Sequence, residues 1–189
     1  MNVFIIFLLV LIMSVMNLFG QGSPTELKTV NTVNIERYAG RWYEIAKYPN
    51  RFQKSCISDT TADYLLKSNG RIEVTNRCIK KDGKINRAVG EAKIVDKATN
   101  AKLKVRFAPG FLSFLPFVWG DYWIVELADD YSHVVVAEPG RDYFWILARK
   151  PEMDDKTYQA ILTRAESMGL KPSRVERTIH KTASQSVTE

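Results

Sequence analysis

Residues that build metal centres are scarce in this sequence. Its 189 residues include two cysteines, Cys56 and Cys78, and two histidines, His133 and His180. A structural zinc site takes four such ligands at short, characteristic spacings, and these residues are distant along the chain. We therefore expect no metal site and no cofactor.

The chain also lacks a dense run of basic residues and a nucleic-acid-binding motif. Its net charge of +6 and isoelectric point near 9.3 come from lysines and arginines scattered along the sequence. Proteins that bind nucleic acids concentrate such charge on one face, so no nucleic-acid partner is expected. A solvated basic surface explains the charge, and weak attraction to anionic lipid or acidic partners is the alternative.

No hydrophobic run reaches the ~20 residues that a transmembrane helix needs. Residues 3–16 are almost entirely apolar, and the small residues Gly20 and Gly22 follow. This arrangement predicts a secretory signal peptide over residues 1–22, cleaved after Gly22 or after Gly20. No lysine or arginine precedes the apolar run, so an uncleaved anchor is the alternative. No cysteine stands near the cleavage region, so we expect no lipoprotein anchor, and a location in the periplasm, at the outer membrane or outside the cell.

The rest of the chain has a globular composition. The whole sequence is 46% hydrophobic and 25% charged, which is enough for one core. It contains no repeats and no linker. We predict one domain over residues 23–181 and a disordered polar tail over residues 182–189.

Alternation of apolar and polar residues predicts eight β-strands. The clearest hairpin is joined at Asn69-Gly70, a pair that favours the positive φ of a tight turn. Every connection is short enough to join antiparallel neighbours. The predicted strands span residues 40–46, 60–66, 71–77, 86–96, 102–107, 122–127, 134–136 and 143–149.

Helical spacing predicts one helix that packs against the sheet. Asp154 or Asp155 caps its start, and Gly169 follows its end near residue 168. A helical turn at residues 35–38 and a short strand at residues 175–179 complete the prediction. The apolar face of the helix consists of Tyr158, Ile161, Leu162, Ala165 and Met168.

Three motifs in this order resemble the signatures of the lipocalin family. Gly40-x-Trp42 matches the first, and Arg149 matches the third, the arginine that covers the tryptophan. Asp130-Tyr131 resembles the second, a Thr-Asp-Tyr turn, although an aspartate replaces the threonine. The resemblance implies an all-β fold, an eight-stranded antiparallel up-and-down β-barrel with one C-terminal helix packed outside.

Longer strings resemble one branch of that family more closely. Residues 40–46, 122–124 and 145–149 are similar to apolipoprotein D and to the bacterial lipocalins of the outer membrane. The resemblance covers about residues 34–170. The chain departs from the bacterial proteins by lacking a lipid-anchor cysteine.

If the barrel forms, strand parity from the inward Trp42 predicts its interior. An eight-stranded barrel is just wide enough for one small ligand. Aliphatic and aromatic walls with a few polar tips suit an acyl chain whose polar head lies near the rim, and a filled core is the alternative. The predicted lining consists of Glu44, Ala46, Ala62, Tyr64, Ile72, Val74, Asn76, Leu103, Val105, Tyr122, Ile124, Trp145 and Leu147.

Trp42 and Arg149 are interpreted as structural. The guanidinium is expected to stack on the indole and close the barrel floor, a contact of roughly 1–2 kcal/mol. Contact with ligand is the alternative.

The loop at residues 108–120 is unusually apolar and is predicted to lie at the open mouth. Six large apolar side chains are more than a surface loop needs. Either the loop folds inward as a lid, or it forms a rim that contacts lipid or a partner. The six residues are Phe111, Leu112, Phe114, Leu115, Phe117 and Trp119.

Cys56 and Cys78 are also expected at the mouth. The hairpin register places Cys78 opposite residue 59, so Cys56 overshoots by three residues, or ~10 Å. A disulfide needs Cα atoms within ~7 Å. We predict the bond, with a bulge or fold-back before Thr60.

These observations favour a non-catalytic carrier of a fatty acid, lysophospholipid or similar amphiphile. The alternative is a carrier of another hydrophobe, such as a pigment, haem or a signalling lipid, although no inward histidine is predicted for haem. An enzyme of the same fold is disfavoured, because no catalytic triad or carboxylate pair points into the barrel. The sequence leaves open the identity of the lipid and whether the protein is a monomer or a homodimer.

Overall fold

The computed structural model describes residues 26–181. The predicted signal peptide and C-terminal tail lie outside these residues and stay predictions. The described elements, numbered along the chain, are α1 (Ile35–Tyr38), β1 (Gly40–Lys47), β2 (Cys56–Leu66), β3 (Ile72–Lys80), β4 (Ile85–Ile94), β5 (Lys102–Arg106), 3₁₀ turns at Gly110–Leu112 and Pro116–Val118, β6 (Gly120–Leu127), β7 (His133–Ala137), β8 (Phe144–Ala148), α2 (Asp155–Ser167), a 3₁₀ turn at Pro172–Arg174 and β9 (Glu176–Arg177).

Strands β1 to β8 form a closed antiparallel barrel. Each strand pairs with the next along the chain, and β8 pairs back with β1. Strand β9 pairs with β1 beside Ala46 and Lys47, beyond the point where β1 pairs with β2. The predicted eight-stranded barrel with one helix outside is confirmed. Strand β9, at the mouth, lies within the short strand predicted at residues 175–179.

Trp42 and Arg149 lie together at the closed end. Trp42 is fully buried, and its Nε1 donates to the carbonyl of Tyr38 at 2.8 Å. The Arg149 guanidinium lies 3.8 Å from the centre of the Trp42 ring. It also donates to the carbonyls of Arg37 and Arg41, at 2.6 and 2.8 Å, and of Tyr38 at 3.1 Å. The predicted contact is therefore present, and the guanidinium covers the floor from outside.

The turn between β6 and β7 ties the same end together. Tyr131 has a φ of +63°, a left-handed conformation that is uncommon for a residue with a side chain. Its hydroxyl accepts from the backbone N–H of Asn34 at 2.9 Å, and the Arg37 guanidinium lies 4.0 Å from its ring centre. Asp130 accepts from the N–H of Ser132. These contacts attach the turn to the segment that leads into β1.

Helix α2 covers the outer face of the barrel. Asp154 caps it by accepting from the N–H of Thr157 at 2.9 Å. Tyr158, Ile161 and Ala165 are buried on the face that was predicted from helical spacing. They pack against outward side chains of β1 and β6 to β8, namely Ile45, Ala46, Val125, Val135, Ala137, Phe144, Ile146 and Ala148.

Ala46 is a correction to the predicted lining. A β-bulge between Glu44 and Ala46 shifts the register of β1 against β8. Ala46 therefore turns away from the interior and lies fully buried in the core beneath α2. Strand parity fails here because a bulge breaks the two-residue alternation.

Candidate ligand-binding site

The other twelve predicted lining residues face the barrel interior, and the lower part of that interior is tightly filled. Glu44 pairs with Leu147, Tyr64 with Val74, and Leu103 with Tyr122, so each pair shares one face of the sheet. Val134 and Val136 of β7, which strand parity did not include in the lining, complete this wall. The core above the floor includes Trp42, Ile72, Val74, Leu103, Ile124, Val134, Val136 and Leu147.

The mouth half of the interior is open. Ala62, Asn76 and Ala88 stand side by side on β2, β3 and β4 with inward side chains. Ala88 is exposed despite facing inward, and Ala62 and Asn76 are half-buried. These small side chains leave space at this level, which favours a hollow barrel over a filled core. Ala88 was not included in the predicted lining. The signal for it was the alternation of small residues at positions 88, 90 and 92, which share one face of the strand.

Three tyrosines form a hydrogen-bonded cluster between the floor and the open half. The hydroxyl of Tyr122 lies 2.6 Å from that of Tyr38 and 2.9 Å from that of Tyr64. Burial raises the pKa of Tyr64 to about 12. Burial also raises the pKa values of Tyr38 and Tyr122 well above their usual range. All three hydroxyls are therefore neutral at physiological pH. Tyr38 precedes β1, so strand parity could not have included it.

A second polar group surrounds Glu44 on the mouth side. Its carboxylate accepts from Nε2 of Gln53 at 2.5 Å and from Oγ1 of Thr178 at 2.6 Å. Gln53 Oε1 in turn accepts from Nε1 of Trp145 at 3.1 Å and from Nδ2 of Asn50 at 2.6 Å. Burial raises the pKa of the Glu44 carboxyl above its usual value, and the bonds from Thr178 and Gln53 limit the rise. This network holds the indole of Trp145 in place near the entrance.

The segment around β9 fills the gap between β1 and β2 at this level. His180 Nε2 donates to the carbonyl of Glu44 at 2.8 Å, and the N–H of Asp59 donates to the carbonyl of Ile179 at 2.8 Å. Gln53, Thr178 and His180 were not predicted. Their roles arise from contacts between segments distant in sequence, for which the local pattern carries no signal.

The predicted disulfide between Cys56 and Cys78 is confirmed. The two Cα atoms are 5.6 Å apart. Two register shifts between β2 and β3, one between Cys56 and Ser58 and one between Ser58 and Thr61, bring Cys56 into range. Asp59, within the second shift, has a φ of +55°. The predicted irregularity before Thr60 is thus a pair of bulges inside a longer strand.

The loop between β5 and β6 presents its phenylalanines to solvent. Phe111, Phe114 and Phe117 are 76%, 77% and 79% exposed, and Leu112 and Leu115 are half-buried. The loop is shaped by its two 3₁₀ turns rather than folded over the interior. The geometry agrees with a rim and not with an inward lid.

Trp119 takes a different position from the one expected for a rim residue. It is buried against the outer wall, where Nζ of Lys93 lies 4.2 Å and Cζ of Arg106 lies 5.1 Å from its ring centre. Its Nε1 donates to the carbonyl of Ser113 at 2.8 Å. Trp119 therefore attaches the loop to the barrel. It was predicted to act with the other mouth-loop residues as lid or rim, and it is corrected to a structural anchor.

Metal-binding clusters and membrane-spanning helices are both absent from the described residues. Residues 26–181 contain no group of three or more histidine, cysteine, aspartate or glutamate side chains placed to hold a metal ion. In the same part of the chain, no helix is long and apolar enough to cross a membrane.

Comparisons with known proteins agree with this geometry. A family model described as lipocalin-like domain matches residues 33–180. The chain is 41% identical over 155 residues to temperature-induced lipocalin-1 of Arabidopsis thaliana, covering 81% of this chain and 82% of that protein. It is 36% identical over 152 residues to the outer membrane lipoprotein Blc of Escherichia coli, covering 80% and 81%. It is 35% identical over 169 residues to apolipoprotein D of Macaca fascicularis, covering 80% and 84%.

A solved structure shows the same fold at lower identity. Insecticyanin from the tobacco hornworm Manduca sexta matches with a TM-score of 0.67 and 19% identity, over 86% of this chain and 88% of that one. This likeness concerns the fold alone.

Proposed function

The chain belongs to the lipocalin family, whose members bind small hydrophobic ligands, and we propose that it carries a single-chain amphiphile, such as a fatty acid or a lysophospholipid, inside the barrel. The resemblance to bacterial outer-membrane lipocalins and to apolipoprotein D is confirmed. The observation that carries the proposal is the open mouth half of the barrel, in which inward-facing Ala88 is exposed. Below it the interior is apolar and the floor is closed. An acyl chain fits such walls, and the polar network of Glu44 lies where a headgroup would enter.

A paired substitution on β4 tests whether the ligand enters the interior. Ala88 faces inward and its neighbour Val89 faces outward, because they alternate along the strand. Ala88→Trp should block the interior and abolish binding of oleate and of oleoyl-lysophosphatidylcholine, measured by titration. Val89→Trp places the same indole outside the barrel and should leave both affinities within about twofold. Equal affinities in the two variants would reject the interior as the site.

We further propose that the loop between β5 and β6 contacts a lipid bilayer while the ligand enters or leaves. The exposed side chains of Phe111, Phe114 and Phe117 provide apolar anchors. Several large apolar side chains exposed together mark sites of contact with a membrane or another protein. The neighbouring connections at the mouth are basic. The β1–β2 loop carries Arg51 and Lys54, and the β3–β4 turn and its flanking residue carry Lys80, Lys81 and Lys84 against the single acid Asp82. Anionic lipid headgroups attract such charge.

Vesicle binding tests this part of the proposal. Phe111→Ser with Phe114→Ser should weaken sedimentation with vesicles that contain one-third phosphatidylglycerol and should slow lipid uptake from them. Leu65→Ser is a matched control, since Leu65 is 61% exposed near the closed end of β2. Unchanged vesicle binding and unchanged uptake in the phenylalanine variant would exclude the loop as a membrane contact.

We also propose that the protein acts without catalysis and outside the cytoplasm. The relatives are a lipocalin, an outer membrane lipoprotein and an apolipoprotein by name, which agrees with a binding protein and with export. Fractionation of cells producing the full chain tests the location. Recovery only in the cytoplasm would contradict export.

A further inference from the structure

The tyrosine cluster has one more hydrogen-bond donor than it uses. Three hydroxyls bring three protons, and the two bonds among Tyr38, Tyr122 and Tyr64 use two of them. None of the hydrogen bonds described within residues 26–181 provides an acceptor for the third. A buried O–H without an acceptor is costly, so this donor is available to a group that enters from above.

An unsatisfied acceptor lies on the same inner face of the barrel. Oδ1 of Asn76 is buried and has no hydrogen-bond partner among the described residues. Its neighbours across the two adjacent strands are Ala62 and Ala88, whose methyl groups cannot donate a hydrogen bond. Asn76 is diagonal to Tyr64 on the inner face, because Tyr64 pairs with Val74. Such diagonal neighbours are about 7–8 Å apart, within reach of an aromatic side chain.

We propose that Asn76 and the tyrosine cluster form an inner subsite for an uncharged oxygen, a hydroxyl or a carbonyl, at the buried end of the ligand. This inference rests on the proposed function, in which an amphiphile occupies the barrel with its charged head at the mouth. A hydroxyl can accept from the surplus tyrosine proton and donate to the asparagine oxygen at once. A carbonyl can use the tyrosine proton alone.

The chemistry of the subsite disfavours a charged group. Burial keeps the three phenols neutral, with the pKa of Tyr64 raised to about 12. None of the hydrogen bonds that reach the cluster from the described residues comes from a lysine or an arginine. Arg149 acts on Tyr38 from the floor, where its own donors are engaged by backbone carbonyls. A carboxylate would therefore be buried here without a counter-ion.

Matched ligand pairs test the subsite. We would titrate straight-chain carboxylic acids of ten to sixteen carbons, each with and without a hydroxyl on the terminal carbon. At the chain length that spans the barrel, the hydroxylated acid should bind about tenfold more tightly, since it satisfies groups that the plain acid leaves unpaired. Tyr64→Phe keeps the ring and the Tyr38–Tyr122 bond but removes the hydroxyl of the residue diagonal to Asn76. It should reduce this preference to about threefold or less, and Asn76→Leu should reduce it independently.

Tyr158→Phe is the matched control, because Tyr158 is buried under α2 outside the barrel. It should keep the full preference, and thermal unfolding verifies that each variant is folded. If Tyr64→Phe does not fold, Asn76→Leu alone decides. If plain acids bind as tightly as hydroxylated acids at every chain length, the subsite is overturned and the proposed function stands. If plain acids lose as much affinity as hydroxylated acids in Tyr64→Phe, the carboxylate occupies the cluster, which also overturns the subsite. Failure of both acids to bind the wild-type protein would reject the proposed function itself.

Discussion

Replacing Arg149 should destabilise the fold and spare ligand binding. Arg149→Met keeps much of the aliphatic stem over Trp42 but removes the charge that lies 3.8 Å from the ring centre. A partly desolvated cation–π contact contributes roughly 1–2 kcal/mol. The side chain also donates to three backbone carbonyls, and the substitution removes those bonds.

The three carbonyls do not contribute equally. The carbonyl of Tyr38 keeps the indole N–H of Trp42, so it stays paired. The carbonyls of Arg37 and Arg41 belong to exposed residues and can accept from water, so each lost bond costs about 1 kcal/mol net. The sum is a loss of about 3 kcal/mol in the free energy of unfolding. Arg149→Lys keeps a cation near the indole but cannot serve several carbonyls, so it should lose about half as much.

Urea unfolding followed by tryptophan fluorescence measures these losses, and oleate titration measures affinity. Both variants should bind oleate within about twofold of the wild type, because the guanidinium lies outside the floor. A loss of stability below about 1 kcal/mol would refute the energetic reasoning. A large loss of affinity at unchanged stability would show that the floor takes part in binding.

Three further predictions concern stability. Replacing Cys56 and Cys78 with alanine removes a cross-link with a sequence separation of 22, so urea unfolding should show a loss of about 3 kcal/mol; a loss below about 1 kcal/mol would contradict the loop-closure argument. Because burial raises the folded pKa of Glu44, the stability that this carboxyl contributes is present below its unfolded pKa of about 4.3 and is lost as pH rises through the raised value. The unfolding free energy of the wild type should therefore fall relative to Glu44→Gln between pH 4 and pH 7, and parallel profiles would contradict this. Gly90→Ala would place a Cβ 2.5 Å from the backbone oxygen of Arg106. Thermal unfolding should therefore show a loss of about 1–3 kcal/mol in the free energy of unfolding. An unchanged melting temperature would show that β4 and β5 move apart without cost.

The fold was largely predictable because its regular parts obey local rules. The two-residue alternation gave the strand order, and the spacing of Tyr158, Ile161 and Ala165 gave the buried face of α2. The inward position of Trp42 then oriented most of the other strands. These features depend on neighbours within one element, so one sequence contains them.

The errors occur where the backbone departs from that regularity. Ala46 follows a bulge in β1, and strand parity does not account for an inserted residue. The disulfide needed an irregular β2, and the spacing of Cys56 from Thr60 revealed the need without giving its form as two bulges. Local pattern alone therefore marks where an irregularity must lie and does not define its geometry.

The polar groups of the site depend on contacts between distant segments. Thr178 and Gln53 meet at Glu44 only because β9 and the β1–β2 loop converge at the mouth. Tyr38 reaches Tyr122 across 84 residues of sequence. Trp119 was grouped with the other apolar residues of the mouth loop because hydrophobicity alone cannot distinguish an anchor from a lid or a rim contact. Tertiary structure was needed to separate these roles.

Native mass spectrometry of the protein purified without detergent tests the central claim most directly. We predict one acyl-chain amphiphile bound per barrel in the wild type and in Val89→Trp, and none in folded Ala88→Trp. A wild-type protein that remains free of ligand after incubation with oleate and oleoyl-lysophosphatidylcholine, or an Ala88→Trp variant that retains it, would contradict binding inside the barrel.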